Sequence, residues 1–251
     1  MTGSFDLSGR VALVTGANRG IGQAIALALA GAGADLVAVG QSLPTATVDA
    51  TRKLGRKAHF IPANLVSTDP IEMVVSEALA VAGHVDILVN NAGIIRRANA
   101  VEFSEQDWDD VLEINLKSVF FMCQRVGRHM LARGSGKIIN VASMLSFQGG
   151  IRVPSYAAAK SGVAGITRSL ANEWAGKGLN VNAIAPGYVE TDNTSQLRAD
   201  PERSRAILER IPAGRWAVPA DMGGAAVFLA SPASDYVNGH ILAVDGGWLA
   251  R

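Results

Sequence analysis

Short runs of consecutive Val, Ile, Leu and Ala recur along the chain, and each is followed by a longer stretch whose apolar positions return with helical periodicity. This is the alternation of βαβ units, whose strands, covered by helices on both faces, lose the polar/apolar alternation of a half-exposed sheet. The strands expected are Val11–Thr15, Leu36–Val39, Ala58–Ile61, Ile87–Asn90, Lys137–Val141, Asn180–Ala185 and Ile241–Val244. The helices expected are Ile21–Ala32, Ile71–Ala82, Glu105–Ala132, Ser155–Lys177 and Ala220–Leu229. Right-handed crossovers turn this order into an α/β fold, a Rossmann-like, doubly wound parallel sheet of about seven strands with helices on both faces. The rhythm fails between Glu190 and Trp216, where polar and charged residues with Pro201 and Pro212 suggest no strand. An excursion of that length, about 187–216, is expected to be a substrate loop or active-site lid. No repeat or linker divides the chain, so 1–251 is expected to be a single dinucleotide-binding and catalytic domain.

Composition narrows the chemistry. A chain of 251 residues that is 49% hydrophobic can bury a substantial core. A formal net charge of +1, with charges scattered, gives no field for nucleic acid or an anionic membrane, so a small-molecule substrate is expected. The opening Met1-Thr-Gly-Ser-Phe-Asp6 lacks the basic and apolar regions of a secretory signal. No apolar run reaches the roughly 20 residues of a membrane helix, and a soluble, cytoplasmic protein is the expectation. Cys123 stands alone inside an apolar helical stretch, a packed side chain rather than a nucleophile. His59, His84, His129 and His240 lack metal-ligand spacing, and no metal is expected.

Immediately after the first strand comes Thr15-Gly-Ala-Asn-Arg-Gly-Ile-Gly22, running directly into a helical pattern. Strand, glycine turn and helix follow in the order a dinucleotide site needs. Gly16 permits the tight turn, Gly20 lets the backbone approach a pyrophosphate, Gly22 allows close helix packing, and the free N–H groups of the helix start attract phosphate oxygens. Asn18, Arg19 and Ile21 complete the loop. At the end of the second strand an acidic residue would grip the adenosine ribose of NAD, yet the chain reads Val39-Gly-Gln41-Ser. No basic residue follows to meet the 2′-phosphate of NADP, although Arg19 could do so, and the residues alone leave the cofactor choice open.

Tyr156 and Lys160, four residues apart near the start of a helical stretch, share one helix face. An ammonium beside a phenol, together with an oxidised nicotinamide, favours phenolate and would bring Tyr156 toward a working range as general acid in reduction and general base in oxidation. Ser143 follows the fifth strand, at the carboxyl edge where such sheets bind ligands, and could hold the substrate oxygen. Asn115, polar within an apolar helical stretch, could anchor a proton-relay water to Lys160.

Together these segments resemble the short-chain dehydrogenases/reductases over essentially the whole chain. The resemblance implies an NAD(P)-dependent oxidoreductase whose catalytic residues are Asn115, Ser143, Tyr156 and Lys160. It extends the cofactor site from the glycine loop and Gln41 to Asn64, Leu65, Asn91, Ala92, Gly93, Pro186, Gly187, Val189 and Thr191, with Tyr156 and Lys160 also touching the cofactor. Asn64 departs from the aspartate common near the adenine. Segments outside the shared core, among them Arg96-Arg97, Ala142–Tyr156 and the ending Asp245–Arg251, resemble members that act on keto sugar acids of uronate and pectin breakdown. That closer likeness implies NAD as cofactor and a homotetramer. A sugar carboxylate calls for the planar fork of an arginine. Arg152, four residues before Tyr156, is the first candidate; Arg96, Arg97 and Arg215 are secondary, and Gln148 and Asn193 could bond substrate hydroxyls.

Overall fold

A computed structural model describes residues 4–251. Seven strands, β1 (Val11–Thr15), β2 (Asp35–Gly40), β3 (Ala58–Pro62), β4 (Ile87–Asn90), β5 (Gly136–Val141), β6 (Leu179–Pro186) and β7 (Ile241–Val244), form one all-parallel sheet in the order β3-β2-β1-β4-β5-β6-β7. The order reverses between β1 and β4, and a crevice opens beyond the carboxyl ends of strands at such a switch point.

Two cores account for the near-continuous apolar strands. Along β1, Val11 and Leu13 pack into one core, against Ile71 and Val74 of α3 (Ile71–Ala82), Met122 of α5 (Ser118–Arg133) and Val163 of α6 (Pro154–Trp174). Ala12 and Val14 pack into the other, against Ile25 and Leu29 of α1 (Gly20–Gly31), Val48 of α2 (Thr45–Lys53) and Ala226 of α9 (Gly223–Ala230). Alternate residues face opposite layers, and both layers are helical, so Val11 to Val14 are apolar without alternation.

The structure departs from the sequence pattern in three places. Helix α2 was not expected, because its buried face is Thr47, Val48 and Thr51, and a threonine-rich face gives no hydrophobic period. The long helix expected over 105–132 is broken: α4 (Glu105–Leu112), capped by Ser104 Oγ accepting from Asp107 N, gives way to a π turn over Glu113–Lys117 before α5. The segment after Glu190 holds two helices, α7 (Ser195–Ala199) and α8 (Pro201–Arg210). Pro201, expected to interrupt, instead starts α8: at a first helical position its missing N–H has no intrahelical partner to lose. Asp200 Oδ1 accepts from Glu202 N and Arg203 N at 3.1 and 3.0 Å, completing the cap.

These two helices belong to a third, smaller core. Met144 and Leu145, from the turn after β5, meet Tyr188, Ile207, Ile211, Trp216 and Trp248 there. No helix among the described residues is long and apolar enough to cross a membrane.

Candidate active site

A cleft of about 750 Å³ lies at the switch point, bounded by the glycine loop, the ends of β2 and β4, the π turn and the start of α6. Its floor is tied by one hydroxyl: Thr15 Oγ1 accepts from the backbone N of Asn91 and of Ala92, both at 3.0 Å, joining β1 to the Asn90–Gly93 segment. The Asn91 Nδ2 amide donates to the carbonyls of Thr15 and Gly16 at 3.0 and 3.2 Å. Two glycines are forced. Gly16 has φ +67°, and a Cβ on Gly22 would land on the Gly16 carbonyl oxygen and the Asn91 amide. The backbone is therefore bare where a dinucleotide pyrophosphate would approach the start of α1, as this chemistry requires.

Gly16, Asn18, Arg19, Gly20, Ile21, Gly22, Gln41, Leu65, Asn91, Ala92, Gly93, Tyr156, Lys160 and Thr191 all line the cleft. Four expected cofactor residues do not. Asn64 sits behind Gln41: its Oδ1 accepts from Gln41 Nε2 at 2.8 Å and from Val66 N at 3.1 Å, so it orients Gln41. Pro186 ends β6 paired with Val244, and Gly187 is pressed on the chain after β7, where a Cβ would come within 2.7 Å of Asp245 Cα. Val189 is buried in a bridge to Ala217. Nothing basic or acidic stands beyond β2, and Arg19 is drawn across the loop to an ion pair with Asp192.

The catalytic candidates converge. Ser143, two residues past β5, accepts from Leu145 N at 3.1 Å, and its hydroxyl acts on the Tyr156 phenol in the direction that favours phenolate. One turn along α6, Lys160 Nζ lies 5.5 Å from the centre of the Tyr156 ring and donates to the Val141 carbonyl at 2.6 Å. Lys160 is only 4% exposed, and burial pulls its ammonium down to about 8. Burial pushes the Tyr156 phenol up to about 12, opposed by the Ser143 hydrogen bond and the positive charge of Arg97. The lowering expected from neighbouring charge includes that of an oxidised nicotinamide; among the protein's own groups, desolvation of the phenolate outweighs both favourable partners.

Asn115 shapes the π turn. Its Nδ2 donates to the carbonyls of Val111 and Ile94, both at 2.9 Å, while its buried Oδ1 has no protein partner among the described residues. Gly93 lies hard against that oxygen, where a Cβ would collide with it. A buried carbonyl oxygen left over beside the cleft that Lys160 also lines is suited to hold a water.

The arginines sort differently from expectation. Arg152, the first candidate, is exposed and is the only non-glycine residue with positive φ among those described, +65°; its charge bears on Arg97 rather than on Tyr156. Arg96 is turned away into ion pairs with Asp107 at 3.1 Å and Asp110 at 3.9 Å. Arg215 forms a two-pronged bond to Asp221 at 2.7 and 2.9 Å. Arg97 is the one turned toward the site: half-buried, its Nη2 donates to the Asn193 carbonyl at 2.7 Å, and its charge acts on Tyr156 and Tyr188. Asn193 therefore lines the cleft with its backbone oxygen already engaged. Gln148 Oε1 accepts from Trp248 Nε1 at 3.1 Å. Sequence reasoning overlooked Tyr188, whose signal was its place directly after Pro186-Gly187 at the sheet's carboxyl edge. Cys123 is fully buried against Asn90 and Asn140, its thiol pushed up to about 12 by burial.

A family profile described as enoyl-(acyl carrier protein) reductase matches residues 16–249. The chain is 60% identical over 249 residues to 2-dehydro-3-deoxy-D-gluconate 5-dehydrogenase of Escherichia coli (strain K12), covering 99% of this chain and 98% of that one. A crystal structure from Agrobacterium tumefaciens, described as a 2-deoxy-D-gluconate 3-dehydrogenase with bound NADP, is 60% identical with a TM-score of 0.93, covering 99% and 100% of the two chains. Gluconate 5-dehydrogenase from Burkholderia cenocepacia, in complex with NADP and tartrate, is 40% identical with a TM-score of 0.95, covering 100% and 99%.

Proposed function

Because the chain belongs to the short-chain dehydrogenase/reductase family, we propose that it is a 2-dehydro-3-deoxy-D-gluconate 5-dehydrogenase, reducing 3-deoxy-D-glycero-2,5-hexodiulosonate to 2-dehydro-3-deoxy-D-gluconate and running in reverse. The chain is an NAD(P)-dependent oxidoreductase acting on CH–OH groups. The observation that carries the substrate class is Arg97, a half-buried guanidinium that donates to the carbonyl of the cleft-lining Asn193 at 2.7 Å and whose charge acts on the Tyr156 phenol, so that the carboxylate of a keto acid would find a charge-assisted partner there. An acyl thioester would call for an apolar slot at that place instead.

The glycine loop and Asn91–Gly93 would hold the dinucleotide, with Thr191 and Lys160 toward its nicotinamide end. The nicotinamide, when bound, supplies the hydride in reduction and accepts it in oxidation. Ser143 donates a hydrogen bond to the substrate carbonyl oxygen. Tyr156, kept protonated well above neutral pH by its burial, gives its proton to that oxygen as negative charge develops there. Lys160 and a water on Asn115 Oδ1 return a proton to Tyr156. The polar segment 187–216, carrying α7 and α8, serves as substrate loop, Asn193 and Gln148 border the substrate, and Arg152 forms its outer rim. The same reading includes work in uronate and pectin breakdown, in the cytoplasm, as a homotetramer.

For the cofactor, the absence of an acidic residue after β2 and the exposed Arg19 leave room for either dinucleotide, with NAD expected from the closer sequence likeness. The test is the initial rate of NADH and NADPH oxidation with the deoxy diketo acid and with 5-keto-gluconate, for wild type and for Arg97→Ala. Fast turnover of the deoxy diketo acid, with a KM raised about 10- to 100-fold in Arg97→Ala, is expected for loss of a charged hydrogen bond. No turnover of that acid by the wild type would overturn the substrate.

A further inference from the structure

The third core joins three parts of the chain that the two main cores leave apart: the Ser143 turn, the helices of the substrate loop, and the C-terminal segment. Trp248 is its centre. The indole is 4% exposed and meets the Tyr188 ring edge-on at 4.8 Å between centroids. The Arg210 guanidinium, from the end of α8, stacks over the indole at 4.0 Å from its centre. Tyr188 in turn packs edge-on against Trp216 at 5.2 Å and feels the charge of Arg97. The tail is fastened on both sides: Ala213 N donates to the Gly246 carbonyl at 3.0 Å, and Arg251 Nη2 donates to the Glu209 carbonyl at 2.6 Å. Gly246 and Gly247 both take positive φ, and any Cβ on them would press on Ile211, Pro212 and Ala213 at 3.0–3.1 Å.

The polar end of the indole decides an orientation. An indole N–H can only donate, so the Gln148 carboxamide must turn its oxygen to Trp248, as the 3.1 Å bond shows. Its amide nitrogen is then the free end of the carboxamide, with no protein partner among the described residues. Gln148 is five residues beyond Ser143 in the same turn, and Met144 of that turn packs in the core that Trp248 fills.

We propose that Trp248 is a positioning residue for substrate recognition: its N–H locks Gln148 so that two amide donors face the substrate's oxygens, while its ring holds α8 and Tyr188 down beside Arg97. This rests on the reading of the cleft as the site of a polyhydroxylated keto acid. An amide fixed as donor recognises hydroxyl or carboxylate oxygens and contributes nothing to an unsubstituted ketone, so Trp248 acts on selectivity rather than on the chemical step.

The test compares wild type, Trp248→Phe, Gln148→Ala and the double variant, using the deoxy diketo acid and diacetyl as substrates and NADH binding by fluorescence as a control. Phenylalanine removes the donor but also one ring of the buried indole, so the comparison with Gln148→Ala and the double variant, rather than Trp248→Phe alone, isolates the N–H. The expected result is a KM for the keto acid raised about fivefold in Trp248→Phe, the size of one neutral hydrogen bond. In that variant kcat, NADH binding and the rate with diacetyl stay unchanged, and the double variant is no worse than Gln148→Ala alone. A wild type that prefers the keto acid, with Trp248→Phe keeping its KM or losing kcat on both substrates alike, overturns the proposal. So do additive losses in the double variant. A wild type with no preference for the keto acid over diacetyl overturns the substrate reading itself, and the proposal falls with it.

Discussion

Replacing Lys160 by methionine tests whether the fold bears a cost to keep a titratable ammonium beside Tyr156. Burial pulls Lys160 from 10.5 down to about 8. Below about pH 8 folded and unfolded chains both hold the proton, and the folded chain carries the full burden of a buried charge, about 3 kcal/mol at 1.36 kcal/mol per unit. Between about 8 and 10.5 only the unfolded chain holds it, so stability rises with pH; above 10.5 neither does and the burden is gone. The Lys160→Met variant carries no such proton. Its stability relative to wild type should therefore fall by about 2 kcal/mol between pH 7.5 and pH 10, or about 4–8 °C in Tm for a chain of this length. Other groups that titrate over the same range away from Lys160 are common to both proteins and cancel in the difference; Tyr156, its ring centre 5.5 Å from Lys160 Nζ, is displaced upward and titrates mainly above pH 10. Urea unfolding of both proteins at the two pH values reads the difference directly. Parallel stabilities across that range would refute the argument, and would mean that water reaches the Lys160 ammonium.

Two further outcomes follow from the site. Tyr156→Phe removes the proposed proton donor and should lower kcat at least 100-fold, the lower end of what positioned acid catalysis contributes, with NADH binding retained by fluorescence titration. Asp192→Asn frees Arg19 from its ion pair and should raise the NADPH-to-NADH ratio of kcat/KM severalfold, measured at low salt because both side chains are largely exposed; an unchanged ratio would show that Arg19 plays no part in choosing the cofactor.

The sequence by itself determined the architecture, because most strand runs are apolar on both faces and longer helical stretches separate them; three of the seven strands match to the residue and the rest extend by one residue at one or both ends. It also determined the glycine loop and the Ser143, Tyr156, Lys160 and Asn115 set, whose spacing is local or tied to strand ends. Helix α2 stayed hidden because its buried side is threonine, and the start of α8 because a proline ends one pattern and begins another with the same residue. What only the tertiary structure decided was which polar groups are free. Arg96 and Arg215 are consumed by carboxylates, Arg152 faces outward and Arg97 inward, and the Gln148 amide takes its direction from Trp248, 100 residues away. The direction of the Tyr156 shift was decided there too, because a charge partner can be read from spacing but desolvation depends on everything packed around the group.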